Sequence, residues 1–262
     1  MTVPHVMGIL NLTPDSFSDG GRHADPDTAF AAARAMIEAG ASIVDIGGES
    51  TRPRAPLIST EEELARVGPL LDRLRGSGIA FSIDTRNAVV MARALDAGAV
   101  LVNDVSALTH DPAALPLVAE RGCAVVLMHA QGTPQTMQDA PHYDDVVVEV
   151  RDWLAARIAA CVAAGIDRAK ITVDPGIGFG KTLEHNLRLL RGLGALHDLG
   201  CPILLGVSRK KLIETLSGAA LPDRLPGSLA LALHGAGQGV AMVRVHDVAE
   251  TVQALKVWVA LQ

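Results

Sequence analysis

The sequence predicts a single-domain α/β chain, a (β/α)8 or TIM barrel running over residues 1–262. Three observations predict it. Short β-branched runs alternate with Ala- and Leu-rich stretches of helical length from one end to the other, the pattern of βαβ units on a parallel sheet. Eight such units fill the chain, and a closed barrel of eight needs about 250 residues. A doubly wound open sheet would usually carry a glycine-rich dinucleotide fingerprint after its first strand, and the first strand here is followed by none.

The strands are expected at residues 6–11, 42–47, 80–85, 101–106, 124–129, 171–175, 203–208 and 240–246. Helices are expected at 25–39, 60–75, 87–97, 111–121, 143–164, 183–190, 209–216 together with 229–235, and 247–260. Gly40, Gly98, Gly122 and Gly165 each follow an Ala- or Arg-rich turn, where a left-handed cap suits glycine. No linker, charge block or low-complexity stretch divides the chain.

Composition narrows the function. Lys+Arg number 23 against 29 Asp+Glu, a formal net charge of −6, and 49% of the residues are hydrophobic. Such a chain buries a large core. It lacks the basic excess of a nucleic-acid binder, and its seven aromatic residues (Phe 4, Trp 2, Tyr 1) offer little stacking surface. No apolar run approaches the ~18 residues of a membrane span, and no secretory signal is visible at the N-terminus. Cys123, Cys161 and Cys201 are odd in number and far apart, which argues against a disulfide framework and fits a reduced, cytoplasmic setting.

In a barrel, the C-terminal strand ends and the loops beyond them build the active site. Those ends here carry Asn11, the Glu49-Ser50-Thr51-Arg52 loop, Asp84, Asn103, His129, Asp174, Ser208-Arg209-Lys210, and Arg244 with His246. Any one of the Asp, Asn or Ser residues could be a helix N-cap, but caps do not call for Arg244 and His246. By period-two alternation those two share a strand face with Met242, a costly arrangement unless an anion or acid meets them. Ser208-Arg209-Lys210 lies at the seventh strand-to-helix junction, where backbone N–H groups gather. A phosphate or pyrophosphate on the substrate is therefore inferred.

Asp84, Asn103 and Asp174 suit recognition of a flat heterocycle, since carboxylates accept paired N–H bonds and an amide offers donor and acceptor together. Metal binding by the two aspartates is the rival reading, although no HExxH or clustered-histidine spacing accompanies them. Gly176-Ile177-Gly178-Phe179-Gly180-Lys181-Thr182 mimics a nucleotide-binding loop, but GxxxxGK[ST] requires glycine where Pro175 stands. It is read instead as a mobile loop at the barrel mouth.

Two long segments make the chain recognisable. Gly8-Ile9-Leu10-Asn11-Leu12-Thr13-Pro14-Asp15-Ser16-Phe17-Ser18-Asp19-Gly20-Gly21 and Asp45-Ile46-Gly47-Gly48-Glu49-Ser50-Thr51-Arg52-Pro53 resemble the two signatures of the dihydropteroate synthase family. The likeness continues in order through Ser82-Ile83-Asp84-Thr85, Val102-Asn103-Asp104, Met128-His129, Asp174 to Lys181, Gly206 to Lys210 and Arg244-Val245-His246-Asp247. It departs at Arg54, where glycine is common, and across 56–59.

The resemblance implies an enzyme that joins a pterin pyrophosphate to 4-aminobenzoate. It implies that Asn11 holds Mg2+ and through it the pyrophosphate, which Arg52, Arg244 and His246 also bind. It gives the pterin to Asp84, Asn103, Met128, Asp174 and Lys210, and the aminobenzoate to Phe17, Thr51, Arg52, Pro53, Phe179 and Ser208. Asp84, Lys210, Arg244 and His246 are the implied catalytic set, and a homodimer the implied assembly. The loops at 13–21 and 50–58, long and rich in Gly, Pro, Ser and Asp, are expected to act as lids. Two alternatives stand beside this reading: a non-catalytic pterin-binding paralogue, and a methyltetrahydrofolate methyltransferase-type barrel, which would not be expected to carry the Thr-Pro-Asp-Ser-Phe and Ser-Thr-Arg-Pro loops.

Overall fold

A computed structural model describes residues 3–13, 25–50, 52, 55–133 and 135–262. Phe17, Thr51 and Pro53, with most of the expected lid at 13–21 and a third of that at 50–58, lie outside the described residues. Eight parallel strands form one sheet among them: β1 His5–Asn11, β2 Ile43–Gly47, β3 Phe81–Asp84, β4 Leu101–Asp104, β5 Ala124–Met128, β6 Ile171–Asp174, β7 Leu204–Gly206 and β8 Met242–Val245. Their order is 6-5-4-3-2-1-8-7, and a single parallel bridge between Val173 and Ile203 joins the two ends. The expected barrel is the observed one, and each expected strand coincides with an observed strand to within three residues.

The helices α1 Pro26–Glu38, α2 Thr60–Leu74, α3 Ala88–Ala97, α4 Ala114–Arg121, α5 Val146–Ala163, α6 Leu183–Arg191, α7 Lys211–Ser217, α8 Leu225–Gly237 and α9 Val248–Val259 alternate with the strands. The four anticipated glycine stops are left-handed, with φ of 103° at Gly40, 107° at Gly98, 58° at Gly122 and 99° at Gly165. Two helices begin later than the sequence suggests. Asp111 was expected to open α4; its carboxylate instead accepts the Ala88 N–H of α3 at 2.8 Å. Tyr143 was expected to open α5, yet it donates its hydroxyl to the Gly180 carbonyl at 2.9 Å, and Asp145 caps the helix.

Alternation along the strands divides the core. Val44, Phe81, Val102, Val125, Val173, Leu205 and Val243 face outward and pack with the helices. Met7, Ile43, Leu101, Val126 and Leu204 fill the floor of the barrel, with Ala80, Ala124 and Met242. At about 1.5–3 kcal/mol for each buried aliphatic side chain, these layers make a rigid frame. Above the floor the inward positions turn polar, and Gly47 and Gly206 place no side chain there. Cys161 and Cys201 are buried thiols, and Cys123 is also unpaired. No helix of the described residues is long and apolar enough to cross a membrane.

Candidate active site

The polar layer is organised around Asp45, a fully buried carboxylate in the middle of β2. Its Oδ1 accepts from the Ser82 hydroxyl at 2.7 Å. Its Oδ2 accepts from Asn103 Nδ2 at 2.8 Å and from Arg244 Nε at 2.6 Å. Arg244 reaches on to Asp84, donating from Nη2 to Oδ2 at 2.7 Å. A charge is tolerated at this depth only when paired and hydrogen-bonded, and here one guanidinium serves two carboxylates.

Holding these groups in place exposes a defined set of acceptors. Asp84 Oδ1 and Asn103 Oδ1 take no hydrogen bond from the described residues. On the facing strand, Asp174 Oδ1 accepts the Gly176 N–H at 2.7 Å, and Oδ2 is likewise unengaged among the described residues. Glycine makes the room: a methyl added at Gly47 would lie 3.3 Å from Asn11 Oδ1 and 3.6 Å from Asp84 Cβ, and one at Gly206 would lie 3.7 Å from Asp174 Oδ2. Burial lifts Asp84 well above the usual carboxylate range although Arg244 pulls it down. Burial raises Asp174 too, against the Gly176 hydrogen bond and the charge of Lys210.

A positive rim borders this pocket. His246 is pushed down to about 4, first by burial and then by Arg209 and Arg244, with Arg52 adding to them and Asp247 opposing. Ser208 Oγ accepts the His246 backbone N–H at 3.1 Å and lies 3.0 Å from Nδ1. A hydroxyl hydrogen given to Nδ1 would leave the proton of the neutral ring on Nε2. Arg209 sits at φ +55°, a conformation a non-glycine residue keeps only when its surroundings enforce it. Its N–H donates to Ser228 Oγ at 2.9 Å, its carbonyl accepts from Arg224 at 3.1 Å, and its guanidinium is bound to Asp247 through two nitrogens. Lys210 Nζ lies 4.2 Å from the centre of the Phe179 ring, a cation–π distance. Burial lowers Lys210 to about 8, while Asp174 and Asp84 raise it and Arg244 opposes them.

The chain matches the pterin binding enzyme family over residues 7–246. It is 49% identical over 255 residues to the dihydropteroate synthase of Escherichia coli (strain K12), covering 97% of this chain and 90% of that protein. The chain belongs to the dihydropteroate synthase family. Among solved structures of dihydropteroate synthases, that of Yersinia pestis with a sulfonamide drug complex superposes with a TM-score of 0.94 at 46% identity, covering 98% of this chain and 94% of that one. That of Xanthomonas albilineans with 4-aminobenzoic acid gives a TM-score of 0.92 at 49% identity, covering 99% of this chain and 93% of that one.

The residues that the dihydropteroate synthase likeness singles out, among those described, gather at one end of the barrel. Asn11, Asp84, Asn103, Met128, Asp174 and Arg244 stand at the C-terminal strand ends or one residue below them, and Lys210 caps α7 in the loop beyond β7. Arg244 was assigned to the pyrophosphate; in the structure its Nε and Nη2 are committed to Asp45 and Asp84, at the depth of the ring acceptors. Ser208, assigned to the aminobenzoate, is buried against His246. Arg52 is exposed and bears on His246 through its charge.

The glycine-rich segment expected to be mobile is instead pinned: Gly178 N–H donates to Asn186 Oδ1 at 2.7 Å, Gln138 donates to the Gly178 carbonyl at 2.8 Å, and Lys181 and Tyr143 hold three further carbonyls. Sequence reasoning gave Asp45 no role, although a lone acid inside an apolar strand signals a buried cation partner. The buried Arg86–Glu49 pair was not legible either; Arg86 donates from Nη2 at 2.7 Å and 2.9 Å and from Nε at 3.2 Å, holding Glu49 just beyond β2.

Proposed function

We propose that this barrel mouth condenses 6-hydroxymethyl-7,8-dihydropterin pyrophosphate with 4-aminobenzoate, giving 7,8-dihydropteroate and pyrophosphate, and that it does so by pyrophosphate departure ahead of amine attack. One observation carries the reading: Asp84, Asn103 and Asp174 each keep an acceptor unengaged among the described residues, in the polar layer where Gly47 and Gly206 place no side chain, beside an arginine-bordered neutral histidine. A bicyclic ring with N–H edges fits the acceptors, and an anion fits the rim. The solved dihydropteroate synthase of Xanthomonas albilineans with 7,8-dihydropteroate, 46% identical, supports the same ligand class.

The C–O bond to pyrophosphate breaks first, and its developing negative charge is met by the Nε2–H of His246 and the positive field of Arg52 and Arg244. The methylene left behind is a cation conjugated with the ring, and Asp84 beneath it opposes that charge. The aromatic amine then forms the C–N bond and releases its proton. The electrophile is strong, so no activated protein nucleophile is required, and no Ser-His-Asp or Cys-His arrangement is needed. The ring acceptors hold the methylene at the boundary between pocket and rim, where both partners meet.

Mg2+ is proposed as the cofactor. The described residues hold no cluster of three or more His, Cys, Asp or Glu suited to a metal, but Mg2+ needs few protein oxygens when substrate phosphates supply the rest. The Asn11 amide oxygen, at the rim beside Gly47, is such a hard donor. Bound there, the ion would neutralise charge on the leaving pyrophosphate. We further propose a cytoplasmic homodimer. The direct test is product formation from the two substrates with and without Mg2+: turnover that depends on the metal supports the reading, and pterin binding without turnover would favour a non-catalytic paralogue.

A further inference from the structure

Lys181 is a buried cation that the reaction above does not use. Only 3% exposed, it extends from the end of the glycine-rich segment back beneath that segment. Its Nζ lies 2.9 Å from His129 Nδ1, 3.0 Å from the Gly176 carbonyl and 3.0 Å from the Phe179 carbonyl. An ammonium has three N–H donors, and these three acceptors lie within 3.0 Å, with the His129 carbonyl farther off at 3.5 Å. His129 is itself fixed, its ring 5.0 Å from Trp153 in edge contact and 6.0 Å from Tyr143.

Nor is the lysine needed to start the next helix. Thr182 and His185 already form a reciprocal capping box on α6. The segment it holds is wedged against the end of β5: Gly176 has φ +68°, and a methyl there would lie 1.9 Å from the His129 carbonyl oxygen. One end of the segment is locked to β5 and the Phe179 carbonyl to Lys181, and the Phe179 ring stands 4.2 Å from Lys210 Nζ.

We infer that Lys181 is a positioning residue: anchored on His129, it clamps the carbonyls of Gly176 and Phe179 and thereby sets the Phe179 ring against Lys210, shaping the aminobenzoate side of the site. This rests on the assignment of Phe179 to that side. The clamp needs all three donors, so burial, which pushes Lys181 down to about 7, adds to its sensitivity. Asp174 favours the charged form and Lys210 opposes it; His129, Tyr143 and His185 are the other titratable groups packed around the segment.

The test is a double-mutant cycle on steady-state kinetics of the full chain with Mg2+, using Lys181→Met, Phe179→Ala and the double variant, with melting temperatures measured alongside. Lys181→Met is expected to raise KM for aminobenzoate about tenfold and to shift the dissociation constant of pterin pyrophosphate less than threefold. In the Phe179→Ala background the same change should raise KM less than twofold, because residues acting through one another are not additive. Full additivity, or equal weakening of both substrates, would overturn the inference as a merely structural staple. If Lys181→Met does not fold, Lys181→Gln, which keeps two N–H donors, takes its place with the same criteria. An unchanged KM in Phe179→Ala alone would remove the site assignment and the inference with it; a raised KM there with none in the Lys181 variant removes only the inference.

Discussion

Arg244 Nε lies 2.6 Å from Asp45 Oδ2, across 199 residues of sequence, on a carboxylate with no exposed side-chain surface. The same guanidinium holds Asp84 and contributes to the field on His246, so on the proposed reading the pair would make ring recognition and anion recognition one unit.

Arg244→Ala should therefore cost more than an anion contact. It strands two buried carboxylates, a loss of about 3–5 kcal/mol in folding stability on the scale of broken buried pairs. Calorimetry should show weaker binding of both pterin pyrophosphate and the dephosphorylated pterin. A loss confined to the pyrophosphate form would mean that the tie to Asp45 and Asp84 does no work for the ring.

Asp174→Asn keeps the shape of the side chain. Its amide oxygen can still accept the Gly176 N–H, which leaves an NH2 where Oδ2 now stands. A donor facing ring N–H groups should weaken pterin binding by about 2–3 kcal/mol, with little change in melting temperature. Unchanged pterin affinity would reduce Asp174 to a loop cap.

Gly47→Ala puts a methyl 3.3 Å from Asn11 Oδ1. The neighbour must yield by a few tenths of an ångström, so folding should change by less than about 1 kcal/mol, within the range of ordinary substitutions. Pterin pyrophosphate affinity and the Mg2+ dependence of turnover should both suffer. Wild-type kinetics in this variant would place the ligand elsewhere.

His246 should titrate near 4 in the free protein, against an ordinary value of 6.5. A pyrophosphate on the rim offsets the repulsion from Arg209, Arg244 and Arg52, so its midpoint should rise. Without ligand the depressed value also means that folding stability, full above pH 6.5, falls as acid is added toward pH 4, because the unfolded chain takes up this proton first. An NMR titration with and without pyrophosphate decides it; a midpoint that the anion leaves unmoved contradicts the assignment.

The strands and the ring of polar residues at their ends were legible because β-branched runs bounded by Gly, Pro and Asp give both the period and its end. Partnerships were not. Asp45 and Arg244 belong to opposite ends of the chain, and although a lone acid in an apolar strand signals a buried cation, nothing local says which cation or that Ser82 and Asn103 join it. Asp111 reads as the start of its own helix because the sequence does not show that α3 lies close enough to take its carboxylate. Gly176 to Gly180 reads as mobile because glycine content speaks for backbone freedom, while the groups that remove the freedom, Gln138, Tyr143 and Asn186, come from loops and helices outside the segment.

The bridge from Val173 to Ile203 has a consequence for the barrel as a mechanical object. Every other neighbouring pair of strands is laced along its length, but here a single rung and the Val173 N–H on the Pro202 carbonyl at 2.9 Å hold the wall shut. On the proposed reading, a bicyclic ligand lying between Asp174 on one side of that seam and Lys210 on the other would supply the missing stitch. Amide exchange at Leu204 to Gly206 should then slow when the pterin binds, and the substrate would be part of what keeps its own container closed.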